Sequence, residues 1–152
     1  MSRIIFLGLK KHLNKTRFTK NEIYNSLKYC DSLYTQNGIL LDNHIEEPLK
    51  YHFGRYASEY IWYEVKSMAI PFDCKTKLKE VMPDLYESTY QAGDWFINFL
   101  REKIVDGYEP CLLQRWLGDS AGKAIKVKNL SISNLKPENY SIPYDVLLKF
   151  EL

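Results

Sequence analysis

The stretch from Tyr51 to Tyr63 constrains the fold most, because it carries more aromatic surface than one helical face can hold. On a helical wheel, one stripe contains Leu49, Phe53, Tyr56, Tyr60 and Tyr63. Tyr51 and Trp62 fall on the opposite side of that wheel. Large aromatic side chains are costly to leave in water, so this second set predicts either another covering element or a binding partner.

Helical periodicity covers most of the first 118 residues. The aromatic stripe predicts a helix from about 44 to 68, and a second wide apolar face predicts another from Asp84 to about Asp106, with Trp95 outside that face. Three shorter helices are expected at 19–37, 73–81 and 109–117. The two long helices, both rich in aromatic residues, are therefore expected to form the body of the protein.

The first short helix has recognisable start and stop signals. Thr19 and Glu22 fit a capping box, in which each side chain satisfies the other's exposed backbone amide. Apolar residues follow at helical spacing as far as Tyr34, and Gly38 supplies a stop. These signals predict that the helix includes Tyr34.

The period changes near Ala124. Residues 125–132 alternate as a half-buried strand does, and Tyr144–Leu152 predicts a second strand. At the other end, Ile4–Leu9 fits either a short strand or the first turn of a helix. Two strands alone are marginally stable, so they are expected to pack on the helices, to recruit the N-terminal segment as a third strand or to join another chain.

These patterns predict an α+β fold in a single domain spanning 1–152. Its residues 1–118 are expected to be mainly helical, and 124–152 to form a β-rich segment with a small strand pair, to which the N-terminus adds a possible third strand. The length of 152 residues fits one domain with its own core.

Composition indicates an ordinary globular protein, at 45% hydrophobic and 26% charged residues with a net charge of +2. Three widely spaced cysteines argue against a disulfide framework and for reduced thiols in a cytoplasm. No run approaches the roughly 20 apolar residues that cross a bilayer, so no membrane partner is expected. The excess of Lys, Asn and Ile suggests a low-GC genome, such as that of a phage or mobile element, without bearing physically on function.

Positive charge is concentrated near the start of the chain. The cluster consists of Lys10, Lys11, Lys15, Arg17 and Lys20. Such a cluster can contact nucleic-acid phosphates, which makes a nucleic-acid-contacting accessory factor the alternative function. The competing interpretation is a solvated Lys-rich segment, which the nearly neutral whole chain favours.

Gly118-Asp-Ser-Ala-Gly122 matches the G-x-S-x-G pattern of hydrolases around Ser120. That pattern needs a strand before the serine and a helix after it, whereas the opposite order is predicted here. All three histidines also precede Ser120, so a small hydrolase is the weaker alternative. His44 and His52 lie about 12 Å apart on a helix, too far to share a metal ion, and no metal or cofactor site is predicted.

The function that the sequence favours is a non-enzymatic protein-binding or assembly module. Its predicted partner-binding residues are Tyr51, Trp62 and Trp95, because Tyr and Trp concentrate at protein interfaces. The partner is expected to be another protein or a second copy of the chain.

Overall fold

The computed structural model describes residues 3–13, 32–34, 39–43, 45–67, 76–118, 123–138 and 141–152. The described residues form a seven-stranded mixed sheet. A long helix packs on one face of this sheet, and a 3-10 helical segment packs on the other.

The strands are β1 (Arg3–Leu9), β2 (Ser32–Tyr34), β3 (Ile39–Asp42), β4 (Ile61–Ser67), β5 (Cys111–Trp116), β6 (Lys126–Ser131) and β7 (Val146–Glu151). The helices are α1 (Thr76–Val81) and α2 (Pro83–Val105), and the 3-10 segment is Glu47–Tyr56. The strand order across the sheet is β2-β3-β4-β1-β5-β7-β6.

β1 lies at the centre of the sheet and pairs antiparallel with β4 on one side and β5 on the other. β2 and β3 continue the sheet beyond β4, and β7 continues it beyond β5. β6 lies at the outer end and runs parallel to β7, which is the single parallel pair among the described strands. The C-terminal strands are therefore joined to a larger sheet instead of standing alone.

Alternation along β1 divides the core in two, because successive side chains point to opposite faces. On one face, the helix-side core includes Ile5, Leu7 and Leu9 of β1 with Ala92, Phe96, Ile97, Phe99 and Leu100 of α2. On the other face, the segment-side core comprises Ile4, Phe6, Phe53, Tyr56, Tyr60, Trp62, Cys111, Leu113 and Leu147. Both faces of the central strands are thus buried.

The prediction of a mainly helical body with a small strand pair is wrong. The region predicted as one helix over 44–68 contains the 3-10 segment and then β4. Gly54 interrupts the 3-10 segment, since its φ of 55° and ψ of −133° are not helical, and a turn over residues 57–60 separates this segment from β4. The aromatic residues of this region are distributed between the two faces of a sheet, not around one helix.

Two further helix predictions are also corrected. The helix expected over 109–117 is β5, a strand whose first five residues are all buried. Tyr34, expected at the end of the first helix, lies in β2 and pairs with Leu40. Residues 14–31, which carry the capping box, lie outside the described residues.

Other elements agree with their sequence patterns. The helix predicted from Asp84 to about Asp106 is confirmed as α2, and α1 confirms the end of the short helix predicted before it. β6 and β7 confirm the two C-terminal strands, while the ambiguous Ile4–Leu9 is a strand. Within the described ranges, no helix combines the length and apolarity needed to span a membrane.

Candidate functional site

A cleft of about 530 Å³ opens on the segment side of the sheet, between the 3-10 segment and the residues that lead into β6. We refer to it as the cationic cleft, and its lining residues are Gly54, Arg55, Tyr56, Arg115, Lys123, Ala124 and Ile125. Three elements that are distant in sequence meet here, and each contributes one positively charged side chain.

Arg115 forms the floor of the cationic cleft. It follows Cys111 and Leu113 on the segment-side face of β5, and only 1% of its surface is exposed. A charge buried this deeply needs partners. Its Nη1 donates to Asp145 Oδ1 at 2.9 Å, and its Nη2 donates to the Lys123 carbonyl oxygen at 3.2 Å. Arg115 therefore holds together the β5–β6 connection and the start of β7.

Asp145 is fixed in an unusual backbone conformation that places its carboxylate on Arg115. Its φ is 63°, in the left-handed region where Asp is among the tolerated residues. Its N–H donates to the Gln114 carbonyl at 3.0 Å, and its own carbonyl accepts from the Lys126 N–H at 3.1 Å. These two backbone bonds anchor Asp145 between β5 and β6.

Arg55 also lines the cleft and directly follows the break at Gly54. Its Nη2 donates to the Tyr56 hydroxyl at 2.7 Å, and its guanidinium lies 4.9 Å from the centre of the Tyr56 ring. Because the Tyr56 ring belongs to the segment-side core, these contacts orient an exposed cation against a rigid support. Gly54 makes this arrangement accessible, because its positive φ is costly for residues with a Cβ.

His52 is buried within the 3-10 segment, with 4% of its surface exposed and its ring 6.4 Å from that of Phe6. Burial lowers the pKa of His52, the positive charge of Arg115 lowers it further, and the carboxylate of Asp145 opposes both effects. Its Nδ1 has no hydrogen-bond partner among the described residues. His52 is therefore a buried neutral imidazole electrostatically coupled to the cleft.

The described residues give the cleft an excess of positive charge. Arg55, Arg115 and Lys123 line the cleft, where Asp145 forms an ion pair with Arg115 and the Glu59 carboxylate interacts electrostatically with Arg55. The described lining residues thus include three cations and no carboxylate, an arrangement that attracts anions. The nearest cysteine in the segment-side core does not add a nucleophile, because burial raises the pKa of Cys111 to about 12.

The three residues predicted to bind a partner lie in different environments, and the structure does not bring them together. Trp62 is 5% exposed, stacks on Phe53 at 4.4 Å and donates its indole N–H to the Tyr56 carbonyl. Trp95 is half-buried against the helix-side core. Tyr51 is 75% exposed on the 3-10 segment, so of the three it is the one with a freely accessible ring.

The basic cluster is described only at Lys10 and Lys11. Lys10 Nζ donates to the Glu59 carbonyl at 2.8 Å and lies 4.1 Å from the centre of the Tyr60 ring. Lys11 Nζ donates to the Asp106 carbonyl at 3.0 Å. Both amino groups thus make contacts within the chain. The other members, Lys15, Arg17 and Lys20, lie outside the described residues, and nucleic-acid contact stays a prediction.

Ser120 and His44 also lie outside the described residues, so the hydrolase alternative stays a prediction as well. Among the described side chains, no group of three His, Cys, Asp or Glu residues is placed to hold a metal ion.

The cationic cleft was not predicted from the sequence. Arg115 offered the clearest signal, because it is a single charged residue within the apolar run Cys111–Trp116. A charge in such a run needs a buried counter-ion. The identity of that counter-ion, Asp145, was not accessible, because 30 residues separate the two in sequence.

Comparison of the chain with protein-family models, with curated proteins and with solved structures gave no match.

Proposed function

We propose that the protein is a protein-binding module that contacts an acidic partner through Tyr51 and the cationic cleft. The observation that carries this proposal is a concave site whose described lining includes Arg55, Arg115 and Lys123 but no carboxylate, and in which Arg115 is already paired with Asp145. A charged cleft of this kind steers an oppositely charged partner and selects against partners of like charge.

The composition of the surface around the cleft supports a protein partner. Tyr and Arg are enriched among the residues that dominate binding energy at protein interfaces. Tyr51 precedes Arg55 by four residues, which keeps their Cα atoms within about 14 Å whatever the backbone conformation. An exposed aromatic ring and an oriented guanidinium can therefore contact the same partner.

The rigidity of the site also favours binding. Arg115 and Tyr56 belong to the packed segment-side face, and Asp145 is held by backbone hydrogen bonds. A site that is ordered before binding avoids part of the entropic cost of ordering side chains in the complex. The partner would then supply the acidic group that the cleft lacks.

The test is affinity capture from the producing cells, followed by binding of the purified components. The charge-reversed variant Arg55→Glu/Lys123→Glu is compared with Lys126→Glu. Lys126 is the control because it is exposed and lies three residues from Lys123 but does not line the cleft. Its strand partner, Val146, packs on the helix-side core. We expect a defined complex with the unmodified chain and with Lys126→Glu, and at least a tenfold weaker one with the double variant, about 1.4 kcal/mol.

Tyr51→Ala should weaken the same complex without altering circular dichroism, since this ring is exposed. A purified partner that binds the double variant as tightly as the unmodified chain would contradict the proposal. Failure to recover any protein whose binding depends on Arg55 and Lys123 would also contradict it.

A further inference from the structure

We infer that the cationic cleft is a site for a phosphate monoester, the dianionic group carried by a phosphorylated side chain. This inference rests on the same site as the proposed function and specifies the acidic group that the partner presents.

Charge matching favours a phosphate monoester over other acidic groups. Arg115 is paired with Asp145, whereas among the described residues no ion pair holds Arg55 or Lys123, and the Glu59 carboxylate acts on Arg55 only from beyond ion-pair distance. A phosphate monoester carries about −1.5 to −2 charges at pH 7. A carboxylate or a phosphodiester carries one negative charge and would leave one cation of the cleft unbalanced.

Donor geometry supports the same choice. Arg55 and Lys123 are exposed and line the cleft from two different segments of the chain, whereas Arg115 is 1% exposed. A phosphate group offers three acceptor oxygens around one centre and can contact cations on several sides at once. The planar guanidinium of Arg55 matches such oxygens, and Lys123 supplies a point charge.

The floor of the cleft differs from a surface patch of lysines, because its cation is buried. Arg115 is fully buried, yet it lines the cavity, so its charge acts through less water than an exposed cation would. Two of its contacts, to Asp145 and to the Lys123 carbonyl, fix the position of that charge. The cleft therefore combines one buried, fixed cation with two exposed ones.

The test uses three probes that share a phenyl ring: phenyl phosphate as the dianion, diphenyl phosphate as the monoanionic diester and benzoate as the carboxylate. Binding to the full chain is measured by calorimetry at pH 7.5 and constant ionic strength. We expect phenyl phosphate to bind at least about tenfold more tightly than either monoanion, because charge-assisted hydrogen bonds are the strong ones. Equal affinity for benzoate, or no binding of phenyl phosphate at millimolar concentration, would overturn the inference.

Matched variants locate the binding. Arg55→Gln and Lys123→Gln should each raise the dissociation constant of phenyl phosphate by about tenfold, whereas Lys126→Gln should leave it unchanged. Both substituted cleft residues are exposed, so their loss should not impair folding. An equal effect of all three substitutions would show general charge attraction and would overturn the assignment of phosphate binding to the cationic cleft.

A phosphoserine peptide and adenosine 5′-monophosphate carry the same phosphate monoester, so their affinities are compared to identify which kind of molecule the cleft binds. Tighter binding of the peptide supports a phosphorylated protein partner, whereas tighter binding of the nucleotide overturns that source. The two proposals can fail separately. A partner that depends on Arg55 and Lys123 but carries no phosphate would retain the protein-binding function and overturn this inference.

Discussion

The two faces of the central sheet are buried to a similar depth but differ in chemistry. On the helix side, β1 packs against apolar residues of α2 such as Phe96 and Leu100. That side also buries the neutral Gln114, whereas on the segment side Phe6 and Phe53 share their face with buried His52 and the charged Arg115. Burial of polar groups costs free energy unless they are paired, so a face that keeps them carries a constraint beyond packing. This contrast places the buried charge of Arg115, and with it the cationic cleft, on the segment side.

The largest expected effect concerns the aromatic packing of the segment side. Trp62→Ala should lower the free energy of unfolding by about 3 to 5 kcal/mol, the range for truncating a buried large aromatic residue. Trp95→Ala should cost less, because Trp95 is only half-buried. Urea denaturation of both variants measures the difference. Equal, small losses would show that Trp62 is not a core residue and would restore it as a candidate for partner contact.

Removal of the buried charge should have a comparable or slightly smaller effect. Arg115→Gln leaves Asp145 without its guanidinium, and losing one partner of a buried pair costs roughly 3 to 5 kcal/mol. We expect the lower end, because the Asp145 side chain is 21% exposed. In Arg115→Met/Asp145→Asn neither charge is left unpaired, so the loss should be smaller than in Arg115→Gln. If the loss in this double variant equals the summed losses of Arg115→Met and Asp145→Asn measured singly, coupling between these residues is contradicted.

The next largest loss of stability is expected at Gly8, where the backbone contacts side chains on the segment side. A Cβ at Gly8 would lie 2.6 Å from Cys111 Sγ and 3.0 Å from Tyr60 Cγ, closer than such atoms normally approach. Gly8→Ala should therefore destabilise the protein by about 1 to 3 kcal/mol, as overpacking does. Gly8→Ala/Cys111→Ala should recover part of this loss, as thermal denaturation can show. No recovery would assign the cost to a contact other than the sulfur.

The smallest expected effect is a dependence of the free energy of unfolding on pH, caused by His52 on the segment side. Because the folded-state pKa of His52 is lowered, the unfolded chain takes up a proton at this residue before the folded chain does. Stability from this group is complete above the unfolded value of about 6.5 and is lost as pH falls toward the folded value. Urea midpoints between pH 7.5 and 5 should therefore decline less in His52→Phe than in the unmodified chain. An identical decline would exclude His52 as the source.

Sequence periodicity succeeded where one face of an element is apolar and the other is exposed. α2 has a buried stripe that includes Tyr86, Phe96 and Leu100, flanked by exposed residues, and this produces the helical period directly. β6 and β7 follow turn-forming residues and lie at or next to the edge of the sheet. Their positions were predicted, although not the parallel pairing between them.

Periodicity failed where both faces are buried. β5 and most of β4 are covered on either side, so their apolar runs do not alternate, and short runs of this kind do not distinguish helix from strand. Two local signals against the long helix were present: Gly54 interrupts it, and Ile61–Val65 is rich in β-branched and aromatic residues. The regular spacing of Phe53, Tyr56, Tyr60 and Tyr63 outweighed them.

By itself, the sequence determined α1, α2 and the two C-terminal strands. These elements are specified by residues close together in the chain, through the spacing of apolar residues and, for the helices, through the residues that end them. Only the tertiary structure decided that residues 61–67 and 111–116 are strands beside β1, since pairing depends on residues far apart along the chain. The same holds for the cationic cleft. Arg55, Arg115, Lys123 and Asp145 are far apart in sequence, and sheet pairing together with the packing of the 3-10 segment on the sheet brings them to one cleft.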